Sequence, residues 1–152
     1  MRDVLKRSWW KLPVFLLSAG WLSFQLMAYV LGKFALITLA DGSISHDLIL
    51  WRRLSAVPLV LTLLAGFLLF RKTSRRELFC SAAVAAALSA VFSLLSLSQL
   101  YPFAWLSSLM VYWCDFGCAY LCKVLPADWC YMVATWFFPF IFVLFGSKSG
   151  QN

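Results

Sequence analysis

Cys114, Cys118 and Cys122 recur every fourth residue, and Cys130 follows shortly after them. On a helix that spacing aligns three thiols along one stripe, where they could exchange disulfides, hold a metal, or simply pack. The i, i+4 geometry is poor for a direct disulfide, whereas Cys122 or Cys118 could pair with Cys130 across a turn at Pro126. An extracytoplasmic position would permit such a bond. Metal ligation has little support, because His46 is the chain's one histidine and no CxxC pair occurs. The plainest role is packing of small apolar side chains along one helix face. Cys118, Cys122 and Cys130 are therefore the candidates for a disulfide or redox function, with Cys80 standing apart.

Charged and polar groups within apolar surroundings are the other candidates. Asp115 lies in a strongly apolar stretch; at membrane depth it needs a cation such as Lys33, Arg52 or Arg53, or a polar cavity. Gln25 falls near the middle of an apolar run, where an interhelical hydrogen bond is its default role and a substrate path the sharper alternative. Asp41-Gly42-Ser43-Ile44-Ser45-His46-Asp47 places oxygen side chains at alternate positions, as at the start of a calcium loop. Its glycine is at the second position rather than the sixth and Arg52 stands at position twelve, so a turn and a helix cap account for it better. Ser43, His46 and Asp47 are triad residue types, but neighbours in sequence do not make triad geometry.

The elements that position these residues follow from composition. Hydrophobic residues make up 63% of the 152-residue chain, charged residues 12%, and mean hydropathy is +0.85. That is far from the roughly 25% charge of ordinary globular domains. Four apolar stretches, at about 12–32, 54–70, 79–100 and 129–145, imply a single polytopic membrane domain over 1–152. Arg2, Lys6, Arg7 and Lys11 precede the first, with Trp9 and Trp10 at the same interface, and the run is too long for a cleaved signal. Phe34–Ala40 either extends this helix or lies along the membrane surface. Asp41–Ser43 breaks the chain, Ser45 is the expected N-cap of the next helix, and Pro58 is expected to kink it. In the third stretch Ser81, Ala82, Ala85, Ala86, Ser89, Ala90 and Ser93 repeat small-xxx-small spacings, which marks the central, closely packed helix. Pro126 and Asp128 suit the first turn of the last helix, and Pro139 is expected to kink it.

The segment Tyr101–Leu125 decides the topology. Ser108, Tyr112, Asp115 and Lys123 recur near helical spacing, which suits an amphipathic helix at about 102–123. With the N-terminus cytoplasmic, nine cations fall inside and Lys33, Arg52, Arg53 and Lys123 outside. A fifth span would merely exchange Lys123 with Lys148 and leave that bias unchanged. Burying Asp115 costs about 2.5–3.5 kcal/mol at the helix centre, which favours four spans. The expected fold is thus an all-α integral membrane protein, a four-helix bundle with an additional interfacial or re-entrant helix before the last span; five spans is the alternative.

In outline the chain resembles the DsbB-type disulfide-forming oxidoreductases, which have four spans and cysteines in the second external loop. The resemblance implies thiol–disulfide exchange, yet that family passes electrons to quinone through a CxxC pair in the first external loop, and 41–53 holds no cysteine here. Read from its own residues, the chain is a multi-pass protein of a plasma or inner membrane, acting through helix–helix contacts with itself or a membrane partner. A transporter or channel component and a membrane thiol–disulfide oxidoreductase are the alternatives. No cofactor is expected. Arg71, Lys72, Arg75 and Arg76 should meet anionic lipid headgroups at about 1 kcal/mol each. Nucleic acid is excluded as a partner, since no basic stripe lies in a soluble segment.

Overall fold

The computed structural model describes residues 9–97, 101–124 and 130–147; Arg2, Lys6, Arg7, Pro126, Asp128 and Lys148 lie outside them. Three helices are long and apolar enough to cross a membrane: Lys11–Tyr29, Leu48–Phe70 and Arg75–Ser96. Polar side chains of these helices point inward, with Ser23, Thr62, Ser81, Ser89 and Ser93 buried. Large apolar residues such as Leu22, Val60, Leu64, Leu68, Phe79 and Leu94 are exposed. That is the reverse of a water-soluble bundle, and it follows when the outer surface faces hydrocarbon and the hydroxyls must find partners inside.

Helix α1 spans Lys11–Tyr29 and has no N-cap side chain of its own. Ser81 of a neighbouring helix supplies one: its hydroxyl accepts from the Leu12 N–H and donates to the Trp9 carbonyl, each at 3.0 Å. Past Tyr29 the chain tightens into a 3₁₀ turn, Leu31–Ala35. Strand β1 (Leu36–Thr38) then pairs antiparallel with β2 (Ile44–His46), Ile37 opposite Ser45. Phe34 and Ala35 thus close the 3₁₀ turn and Leu36–Thr38 form a strand, so α1 is not extended as an α-helix through Phe34–Ala40. Gly42, at φ +81°, makes the reversal, a conformation that L side chains rarely adopt.

The next helix is capped by Asp47, not Ser45: the Asp47 carboxylate accepts from Ile49 and Leu50 N–H, while Ser45 is held in the strand ladder. It runs as α2 (Leu48–Leu54) and α3 (Ala56–Phe70), interrupted at Ser55. Leu48–Arg53 thus precede the 54–70 apolar stretch within one helical run. The break falls three residues before Pro58, because a prolyl nitrogen cannot bond the Leu54 carbonyl and its ring crowds it. Ser55 fits the gap by donating to the Arg52 carbonyl at 2.7 Å.

Helix α4 covers Arg75–Ser96, with Ser74 as N-cap accepting from Glu77 N–H. This cap starts the helix four residues before the expected boundary. Ser81, Ala85, Ser89 and Ser93 form its buried stripe, as expected of a central helix, and α4 packs against α1, α5 and the last helix. Two short helices follow, α5 (Tyr101–Tyr112) and α6 (Asp115–Val124), instead of one continuous amphipathic helix over 102–123. The last helix is α-helical as α7 (Cys130–Phe137) and 3₁₀ over Phe138–Phe145. Pro139 marks this change of winding rather than a simple kink. Its far end is tied to the basic loop, where Ser147 N–H donates to Thr73 and Arg75 N–H to Ser147.

The core lies toward that same end. Phe142 is fully buried, with Phe15, Phe70 and Trp113 around its ring at 5.5–6.1 Å. Two glycines allow the closest approaches: a Cβ on Gly66 would strike the Phe142 ring at 2.1 Å, and one on Gly20 would meet the Leu109 carbonyl oxygen at 1.7 Å.

Candidate functional site

Contacts along the bundle trace how α5 and α6 are set. Ser107 meets Ser93 near the end of α4 at 3.3 Å, and Leu109 meets Gly20 at the middle of α1. Trp113 then packs on Phe138 and Phe142. Beyond the break at Trp113–Cys114, Gly117 abuts Phe138, and Cys122 is a neighbour of Cys130. So α5 enters from the end that carries the β-hairpin, and α6 returns toward it alongside α7. The pair forms a V with its apex at Trp113–Cys114, which is buried.

Asp115 sits just past the apex in the first turn of α6, where the helix dipole favours a carboxylate. Its Oδ1 accepts a short hydrogen bond from the Tyr131 hydroxyl on α7. Two cavities share this pair as a wall. One, of about 320 Å³, is lined by Ser107, Ser108, Val111 and Tyr112. The other, of about 340 Å³, is lined by Arg52, Ala119, Cys122 and Lys123. Arg52, Lys123 and Asp115 thus face one space, from α2 and from two turns of α6.

Asp115 and Arg52 line the same cavity but form no direct ion pair among the described residues. Arg53 does not line it. Gln25 is also elsewhere: its Oε1 is buried without a hydrogen-bond partner, so the expected interhelical bond is not formed among the described residues. Tyr131 was not anticipated; the signal was a phenol one residue past Cys130, but its partner is sixteen positions upstream. Of the basic cluster, Arg71, Lys72, Arg75 and Arg76 are all exposed, and the Arg75 Nε also donates to the Gly146 carbonyl at 3.1 Å.

All five cysteines are free thiols. Cys114 and Cys118 are fully buried with their sulfurs 3.8 Å apart, a contact between thiols rather than a bond. Cys122 and Cys130 form a second neighbouring pair closer to the mouth of the V. The residues flanking them, 125–129, lie outside the described set. Among the described residues no cluster of three or more His, Cys, Asp or Glu could hold a metal.

No protein-family model matches the chain, and neither a curated protein nor a solved structure matches it. The outline likeness to the DsbB-type enzymes therefore rests on topology and a cysteine-bearing loop alone.

Proposed function

We propose that the chain is a multi-pass integral membrane protein with a cytoplasmic N-terminus that works by lateral contact with a second copy or another membrane protein. The four crossings are α1, α2–α3, α4 and the last helix, and α5–α6 is a re-entrant pair entering from the outer side. Cys130–Phe145 is short in residues, but eight at about 1.5 Å and eight at about 2.0 Å rise give about 28 Å, close to the hydrocarbon thickness. A re-entrant pair is compatible with lipid because its broken backbone at Trp113–Cys114 is buried in protein.

The observation that carries the lateral-contact reading is a cleft of about 300 Å³ between α1 and α3. Small residues Ser18, Ala19, Ser23, Pro58, Thr62 and Ala65 line it together with Phe15, Leu22, Leu26 and Leu61, so the two neighbouring helices leave a gap where their small side chains face. Small residues at a helix surface favour close approach of another helix, and in lipid that packing is the main source of association. The stripe on α4 lends no support, because α1, α5 and the last helix already cover it. A photo-crosslinking amino acid at Leu22 or Leu61, both exposed at this cleft, should give a protein adduct of defined mass. The same probe at exposed Leu94 on α4 should not. Equal crosslinking at all three positions, or lipid adducts alone, refutes the reading.

A further inference from the structure

The cavity beside the Asp115–Tyr131 pair has a charge arrangement that the lateral-contact reading does not use. Arg52 and Lys123 present two cations to it, and Asp115 presents a carboxylate. Although all three groups line one cavity, among the described residues neither cation forms an ion pair with Asp115. Instead the carboxylate is held by the Tyr131 phenol, which donates to Oδ1. A hydroxyl donor stabilises the ionised form without neutralising its charge. The result is a fixed negative group and two flexible positive groups facing one space of about 340 Å³.

A ligand that satisfies all three groups carries an anion and, a few ångströms away, a cation with N–H donors. A simple anion would serve the two cations and leave Asp115 repelling it; a simple amine would do the converse. Arg52 comes from the start of the second crossing and Lys123 from the last turn of α6. Both therefore lie at the end of the bundle that carries the β-hairpin, at headgroup depth if the membrane reading above holds. We infer that this cavity is a binding site for a phosphoethanolamine-type zwitterion, its phosphate held by Arg52 and Lys123 and its primary ammonium by Asp115. Guanidinium and ammonium donors suit phosphate oxygens. The carboxylate distinguishes a primary ammonium, which donates hydrogen bonds, from a quaternary one, which cannot.

That chemistry has two sources, the headgroup of a phosphatidylethanolamine and free phosphoethanolamine, and the test separates them. Purified protein is exchanged into nanodiscs containing equal phosphatidylethanolamine, phosphatidylcholine and phosphatidylglycerol, and lipids retained on release are read by native mass spectrometry. Phosphatidylethanolamine should be retained about three- to tenfold over the other two. D115N should abolish its advantage over phosphatidylcholine while leaving phosphatidylglycerol at least as well retained. The double variant R52Q/K123Q should lower phosphatidylethanolamine and phosphatidylglycerol together. Displacement of the lipid by millimolar free phosphoethanolamine supports the site with either source; binding of the free compound without lipid retention assigns it to the soluble one. Equal retention of the three lipids with no binding of free phosphoethanolamine overturns the proposal, as does a preference unchanged in D115N. Thermal unfolding of each variant separates lost binding from lost fold, and Y131F gives a second reading, since it frees Asp115 without removing its charge. Failure here leaves the crosslinking result at Leu22 and Leu61 untouched, so the two readings fall separately.

Discussion

Replacing Gly20 by alanine tests whether the α5–α6 pair is seated by direct backbone contact. The added Cβ would lie 1.7 Å from the Leu109 carbonyl oxygen and 2.7 Å from its carbon. Restoring the 3.4 Å of ordinary contact requires α1 and α5 to separate by about 1.7 Å. Two effects oppose each other. Alanine is better than glycine in a helix by about 1 kcal/mol, whereas overpacking a tight contact costs about 1–3 kcal/mol. The upper part of that range applies, because the neighbour is helical backbone and has no rotamer to escape into. Net destabilisation should be about 1–2 kcal/mol. It should appear as a lower midpoint in thermal unfolding of detergent-solubilised protein followed by monodisperse peak height. The Gly20→Ala protein should also lose selectivity at the Asp115 cavity, since α5 leads directly into the apex. Leu22→Ala, on the exposed face of the same helix, is the control and should leave the midpoint nearly unchanged. A Gly20→Ala midpoint equal to that of the unaltered protein would show that α1 and α5 do not approach this closely, and the V would lose its seat.

Ser81→Ala removes the group that both accepts from Leu12 N–H and donates to the Trp9 carbonyl, so it should cost about 1–3 kcal/mol in the same unfolding assay. The Asp41 carboxyl is held below the usual carboxylate value by the Ser43 hydroxyl and then by the Ser43 N–H. Its contribution to the hairpin is complete above the unfolded value of 3.8 and is lost as pH falls through the lower folded-state value. A carbon-detected titration of Asp41 should show that lowered midpoint, and Ser43→Ala should move it back up. A membrane-impermeant maleimide applied to intact cells should modify Cys122 and spare Cys80, Cys114 and Cys118. Of these, Cys122 lies at the outer mouth in the re-entrant topology and the Cys114–Cys118 pair is fully buried. Labelling of Cys80 from outside, or protection of Cys122 before and after reduction, would contradict that arrangement.

The apolar runs were legible because length and hydropathy depend on local composition alone, and the stripe Ser81–Ser93 was legible because its period is local too. Boundaries were less so. Ser45 and Asp47 are both good caps, and the choice between them was made by the pairing of Ser45 with Ile37 across the hairpin. Ser74 with Glu77 three residues later was a readable start signal for α4 that a hydropathy boundary at Phe79 obscures. Tyr101–Leu125 could not be resolved from its own residues, since charge bias gives the same count for either topology. The packing of α5 and α6 on the other helices rests instead on Gly20 admitting Leu109 and Gly117 admitting Phe138, both long-range contacts. The site was half legible: Asp115 needed a partner, but a phenol is as ordinary in an apolar helix as a phenylalanine, and nothing nearby marks Tyr131 as that partner.

The winding of the last helix has a mechanical consequence. Eight residues, Phe138–Phe145, are 3₁₀, and each is about 0.5 Å longer along the axis than in an α-helix. Rewinding them would shorten the segment by about 4 Å. Because its end is fastened to the basic loop through Ser147, Thr73 and Arg75, that change would be felt at Cys130 and Tyr131, not at the fastened end. The Tyr131–Asp115 hydrogen bond lies at the end that such a change would move.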